Sequence, residues 1–91
     1  MFQLSLFGEA KTLVSIDPDR NRFRFYHVTL SKQGDLDYVL ERRWGRLKNT
    51  LTRAVDIEDY RDKKTTSFLS PTLARKRFLS LLSSKYRKGY R

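Results

Sequence analysis

Apolar and polar side chains alternate through Phe2-Gln3-Leu4-Ser5-Leu6, the period-2 pattern of a half-buried strand. Phe7-Gly8-Glu9-Ala10-Lys11 is a turn candidate, and Thr12-Leu13-Val14-Ser15-Ile16 reads as the continuation or as a second strand. Asp17-Pro18-Asp19-Arg20-Asn21-Arg22 reads as a loop, because proline fixes its own backbone and steers the preceding residue away from helix. Residues 23–31 are aromatic and β-branched, which predicts a strand. Tyr26, Val28 and Leu30 share one of its faces, with Phe23 and Phe25 on the other. Lys32-Gln33-Gly34-Asp35-Leu36-Asp37 is a hairpin-type connection, with Gly34 able to take a positive φ. Residues 38–47 form the next strand, Arg53-Ala54-Val55-Asp56-Ile57 a weaker one, and residues 63–69 the last.

The period then changes. Ser70-Pro71 is a helix start, with serine at the N-cap and proline at the first helical position. From Thr72 to about Lys88, Ala74, Phe78, Leu81 and Leu82 gather on one face, with Leu79 and Tyr86 at its margin; Gly89 supplies the stop. Strands followed by one helix predict an α+β domain: an antiparallel sheet with a C-terminal helix packed on one face. Neither internal repeats nor a low-complexity linker divide residues 1–91, so a single domain is expected.

Composition narrows the function. Twenty Lys and Arg against ten Asp and Glu give a formal net charge of +10, within 91 residues. The asymmetry is sharper than the total: residues 1–62 carry eleven basic and ten acidic side chains, whereas residues 63–91 carry nine basic ones and no acid. A one-signed field of this kind points to a polyanionic partner. Aromatic residues at 13% argue against a disordered tail. The absence of cysteine excludes a disulfide framework, a thiolate metal site and a cysteine nucleophile. His27, the single histidine, leaves no His-based metal cluster or Ser-His-Asp triad, and in mid-strand it reads as structural. No apolar run approaches the roughly 20 residues of a membrane span, and the N-terminal residues lack a secretion-signal pattern. The expectation is a cytoplasmic binding module that is not an enzyme and uses no cofactor or small-molecule substrate.

The segment Glu41-Arg42-Arg43-Trp44-Gly45-Arg46 carries the most chemistry. In a strand Arg42, Trp44 and Arg46 point to one side, and Gly45 lets another backbone come close. An indole flanked by guanidiniums suits nucleic acid, the ring stacking on a base or sugar and the arginines forking onto phosphate. The same spacing fits a core indole with arginines snorkelling around it. On the helix, Lys85 falls inside the apolar arc and must either snorkel off the helix end or meet an anion. The tail Lys85-Tyr86-Arg87-Lys88-Gly89-Tyr90-Arg91 interleaves bases and aromatics; Lys88 and Tyr90 suit phosphate and base, while Tyr90 fits equally well packed back on the sheet. Asp56, Glu58, Asp59 and Asp62 have neither a His partner nor calcium-loop spacing and read as a solvated, phosphate-repelling loop.

Three blocks in order resemble the WGR domain family. They are Arg20-Asn21-Arg22-Phe23-Arg24-Phe25-Tyr26, then Tyr38-Val39-Leu40-Glu41-Arg42-Arg43-Trp44-Gly45-Arg46-Leu47, then Lys85-Tyr86-Arg87-Lys88-Gly89-Tyr90. The Trp-Gly-Arg triplet at 44–46 gives that family its name. The family occurs in DNA-dependent poly(ADP-ribose) polymerases and as small stand-alone bacterial proteins. The resemblance implies a curved antiparallel sheet with a helix against it, and binding to the end of a broken DNA strand. It further implies that Trp44 packs on the sugar of a terminal nucleotide, that Arg46 supports the site and that Lys85 meets backbone phosphate, with an early polar contact near Asn21. The chain departs from the family after Arg46: residues 47–52 contain no glycine, and an Asp-rich stretch follows. The expected partner is therefore DNA, at its ends or along its backbone, with RNA as a second polyanion. The alternative from another class is a protein-interaction module docking an acidic partner. Membrane attachment is not expected, since the apolar helix face is needed to cover the sheet.

Overall fold

The computed structural model describes residues 8–33, 37–47 and 55–91. The strand expected at residues 2–6, the tip of the hairpin at 34–36 and the first half of the weak strand at 53–57 lie outside the described residues. Four antiparallel strands, β1 (Gly8–Asp17), β2 (Arg22–Gln33), β3 (Asp37–Arg46) and β4 (Asp62–Phe68), form an open, curved sheet in the order β1-β2-β3-β4. One helix, α1 (Pro71–Arg87), packs across β2, β3 and β4. This is the α+β arrangement read from the alternation and the helical arc.

Cross-strand partners share a face in an antiparallel ladder. Leu13 pairs with Tyr26, Tyr26 with Trp44, Val28 with Arg42, and Leu30 with Leu40, which defines the helix-facing side. Its core is Leu13, Tyr26, Val28, Leu30 and Leu40 from the sheet, closed by Ala74, Phe78, Leu81 and Leu82 from α1. Leu79 and Tyr86, at the margin of the arc, are exposed. On the opposite face Phe25 and His27 are buried. Thr12 Oγ1 hydrogen-bonds His27 Nδ1 at 2.7 Å, so His27 is a satisfied structural histidine.

Both ends of α1 follow from local chemistry. Ser70 has extended backbone angles and its hydroxyl accepts from the Leu73 amide at 3.3 Å. At the other end Gly89 takes φ +94°. The Tyr90 amide donates to the Lys85 carbonyl and the Gly89 amide to the Tyr86 carbonyl, the two bonds of a Schellman stop. That reversal drives Tyr90 under the helix end, where it is only 6% exposed, and carries Arg91 onto the free edge of β1. There Arg91 exchanges both backbone hydrogen bonds with Val14, at 2.8 and 3.0 Å.

Three local expectations are corrected. Glu9, Ala10 and Lys11 are strand and not turn, because the long β2 offers them a ladder partner at Leu30, Thr29 and Val28. Glu9 is also held by Arg75 of α1 at 2.9 Å. Residues 55–57 are not strand: Asp56 makes its own turn, its carboxylate accepting from the Glu58 amide and its carbonyl from the Asp59 amide. The loop after Asp17 is a 3-10 turn, Pro18–Arg20, ending in a left-handed Asn21 at φ 52°.

Candidate nucleic-acid interface

Beyond the last turn of α1 the sheet continues, with Arg24 paired to Arg46 and Tyr26 to Trp44. The uncovered corner forms a cleft of about 560 Å³. Its walls are Trp44, Gly45 and Arg46 of β3, Arg24 and Tyr26 of β2, Arg61 and Asp62 at the start of β4, and Lys85 and Tyr90 from the helix end. The alternation of β3 puts Arg42, Trp44 and Arg46 on this side, as the spacing requires.

Trp44 is half-buried: one part packs against the core, and the rest lines the cleft. The Arg42 guanidinium lies over its ring at 5.8 Å. The exposed Arg46 donates to Asn21 Oδ1 at 3.0 Å and stands over the Phe23 ring at 5.8 Å. Asn21 reaches Arg46, 25 positions away, because its left-handed backbone closes the turn before β2. Lys85 neither projects into solvent nor pairs with a carboxylate: its Nζ sits 4.6 Å from the centre of the Tyr26 ring and 5.3 Å from that of Tyr90. Of the two placements open to Tyr90, the fold takes the packed one, edge-on to Tyr26. Lys88 is exposed on the C-cap, outside the cleft walls.

Gly45 has a steric reason to be glycine. A Cβ there would come within 2.9 Å of the Arg61 amide nitrogen and 3.1 Å of the Phe25 ring. The chain returning to β4 crosses over Gly45, anchored by the Arg61 amide donating to the Trp44 carbonyl at 2.9 Å. Arg43, on the outer face, braces the same crossing: it donates to the Ile57 carbonyl and to Glu58 and Glu41, and it stacks on Tyr60. Glu41 and Glu58 are therefore spent on Arg43, away from the cleft.

Charge in the cleft is uncompensated. Among the described residues Arg22, Arg24, Arg42, Arg61 and Lys85 form no ion pair, and Asp62 is the one carboxylate in its walls. Burial, reinforced by Lys88, Arg42 and Arg22, holds the Lys85 ammonium below its ordinary range. Burial pushes the Tyr26 phenol above its usual value, with the nearby Arg42 charge opposing in part. The Tyr26 hydroxyl and Arg22 Nε are both buried without a hydrogen-bond partner. The Schellman stop also satisfies the Lys85 and Tyr86 carbonyls at the helix end, removing acceptors that would repel an anion. Among the described residues no group of three or more His, Asp or Glu is placed to hold a metal, and no helix is long and apolar enough to cross a membrane.

Of the residues singled out in the sequence, Arg42, Trp44, Gly45, Arg46, Lys85 and Tyr90 line one cleft, and Asn21 joins it through Arg46. Arg24 and Arg61 were missed. Arg24 carried a signal, since it shares a strand face with Tyr26; Arg61 arrives from a crossing segment and carried none. Compared with family models, curated proteins and solved structures, the chain matches none.

Proposed function

We propose that this chain is a nucleic-acid-binding module of the WGR type, holding DNA at a strand end by its sugar and phosphates. The observation that carries the reading is the cleft itself: an accessible indole edge bordered by uncompensated guanidiniums and one lysine. Phosphate oxygens supply the missing counter-charges, and the indole supplies a face for a terminal sugar or base. A corner where the sheet outruns its helix suits a chain end better than a continuous duplex, which needs an open groove. If Arg24, Arg42, Arg46 and Lys85 each neutralise a phosphate, affinity falls about 150-fold between 50 and 200 mM salt.

The test is fluorescence anisotropy with a short duplex bearing 5′-phosphate ends, beside the same duplex closed by hairpin loops, over a salt series. Tighter binding to the open duplex, lost in Trp44→Ala with the fold retained by circular dichroism, is expected. Equal binding to both duplexes would reduce the protein to a general polyanion binder. No binding near physiological salt would overturn the proposal in favour of an acidic protein partner.

A further inference from the structure

We infer that Lys85 is a covalent-capture residue, its amine condensing with the aldehyde of the ring-opened sugar at an abasic site in DNA. The inference rests on the nucleic-acid reading and goes beyond it, from holding a phosphate-bearing chain to reacting with it.

The geometry around Lys85 is that of a caged amine. A lysine meant only as a phosphate point charge belongs on a solvated rim, where its ammonium is well hydrated. Lys85 instead lies within the cleft, its Nζ over the rings of Tyr26 and Tyr90, with no carboxylate to pair with. Arg42, Arg22 and Lys88 press on it from three elements, and burial adds to them. Both effects disfavour the ammonium and favour the nucleophilic free amine. The surrounding guanidiniums of Arg24, Arg42 and Arg46 would carry the phosphates on either side of the sugar, and the half-buried Trp44 offers it a flat wall.

A second group in the same cleft fits the chemistry. Tyr26 is 1% exposed, and its hydroxyl lacks a hydrogen-bond partner. Kept protonated by burial, it is a donor in search of an acceptor. Lys85 first releases a proton to solvent, and the free amine then adds to the aldehyde carbon; proton transfer from nitrogen to oxygen gives a carbinolamine. The C–O bond then breaks, the Tyr26 phenol giving a proton to the departing hydroxyl, which leaves as water, while the nitrogen lone pair forms C=N. Tyr26 regains its proton from solvent. The net change is ammonium plus aldehyde to iminium plus water, with no oxidant, reductant or cofactor.

The experiment is reductive trapping with sodium cyanoborohydride on a fluorescent duplex carrying one abasic site. A duplex with a tetrahydrofuran residue, which has no aldehyde, reports binding separately. Wild-type protein should give a one-to-one adduct mapping to Lys85. Lys85→Arg keeps the charge but has no nucleophilic amine, so its adduct should drop about tenfold or more, with binding to the tetrahydrofuran duplex within about threefold of wild type. Lys76→Arg, exposed on the far side of α1, should trap normally. Tyr26→Phe, if folded, should slow trapping without changing binding. Adduct in undiminished yield from Lys85→Arg, or mapped to other lysines, would overturn the inference in favour of indiscriminate amine reactivity. Binding to the tetrahydrofuran duplex with no adduct on the aldehyde would overturn it while leaving the nucleic-acid reading intact. Failure to bind either duplex would overturn both.

Discussion

Gly45→Ala places one methyl group where two chain segments cross. The new Cβ would stand 2.9 Å from the Arg61 amide nitrogen, 3.1 Å from Phe25 Cε2 and 3.4 Å from Tyr60 Cα. The first and third of these are backbone atoms, and the Phe25 ring is buried, so no flexible side-chain end can swing away. Overpacking of this kind destabilises by about 1–3 kcal/mol. Moving the crossing segment aside also lengthens the bond from the Arg61 amide to the Trp44 carbonyl, worth about 1 kcal/mol. A total of roughly 2–4 kcal/mol should lower the melting temperature by about 10–25 °C in a domain of this size. Because Arg61 and Asp62 line the cleft, binding should weaken even at temperatures where the variant is folded. The assay is urea and thermal unfolding by circular dichroism, with Gly89→Ala as the comparison. At Gly89 a Cβ meets nothing within 4 Å, so only the positive φ is penalised, by about 1–2 kcal/mol. Gly45→Ala within about 0.5 kcal/mol of wild type, or no worse than Gly89→Ala, would refute the reasoning.

Three further outcomes are expected. Arg24→Ala and Arg46→Ala, adjacent across β2 and β3, should each reduce the slope of log K against log salt by about 0.9. Thr65→Ala, on the outer face of β4, should leave that slope unchanged. His27 titrates below its ordinary value because burial and the Arg43 charge oppose the imidazolium more than Glu41 favours it. The unfolded chain therefore takes up the proton first: the stabilising contribution of neutral His27 is fully present above about pH 6.5 and declines as pH falls through the interval below it. His27→Gln should flatten the melting temperature over that interval, and an unchanged pH profile would contradict the assignment. Ser70→Ala removes a long, solvent-exposed cap and should destabilise by about 0.5–1 kcal/mol in chemical unfolding.

Much of the molecule is local chemistry written along the chain. The parity of β2 puts Tyr26, Val28 and Leu30 on one side, and the parity of β3 puts Arg42, Trp44 and Arg46 together. Ser70, Pro71 and Gly89 bracket the helix, and the four-residue apolar stripe selects the face it buries. These follow from backbone geometry and the spacing of side chains, which need no distant partner to be read. The clean separation of the acids from the last third of the chain is likewise plain in the sequence.

The site itself was only half legible. A period of two tells which side a residue faces, but not which residue of the next strand lies opposite. Pairing Arg24 with Arg46 and Tyr26 with Trp44 depends on the register of a twelve-residue strand against a ten-residue one, set by packing across the whole sheet. The same limit hid Glu9, Ala10 and Lys11, whose turn-like composition yields to an available ladder on β2. Lys85 was visible as a misfit in an apolar arc. Its actual environment, two tyrosine rings and three neighbouring cations, comes from four separate stretches of chain that meet only after α1 docks and its Schellman stop folds Tyr90 beneath it. Sequence alone determined the elements, their faces and the excess of charge, because those are properties of neighbours along the chain. Tertiary structure alone decided that the cations stand unpaired around one half-buried indole, because that depends on which distant acids are already engaged elsewhere, as Glu41 and Glu58 are with Arg43.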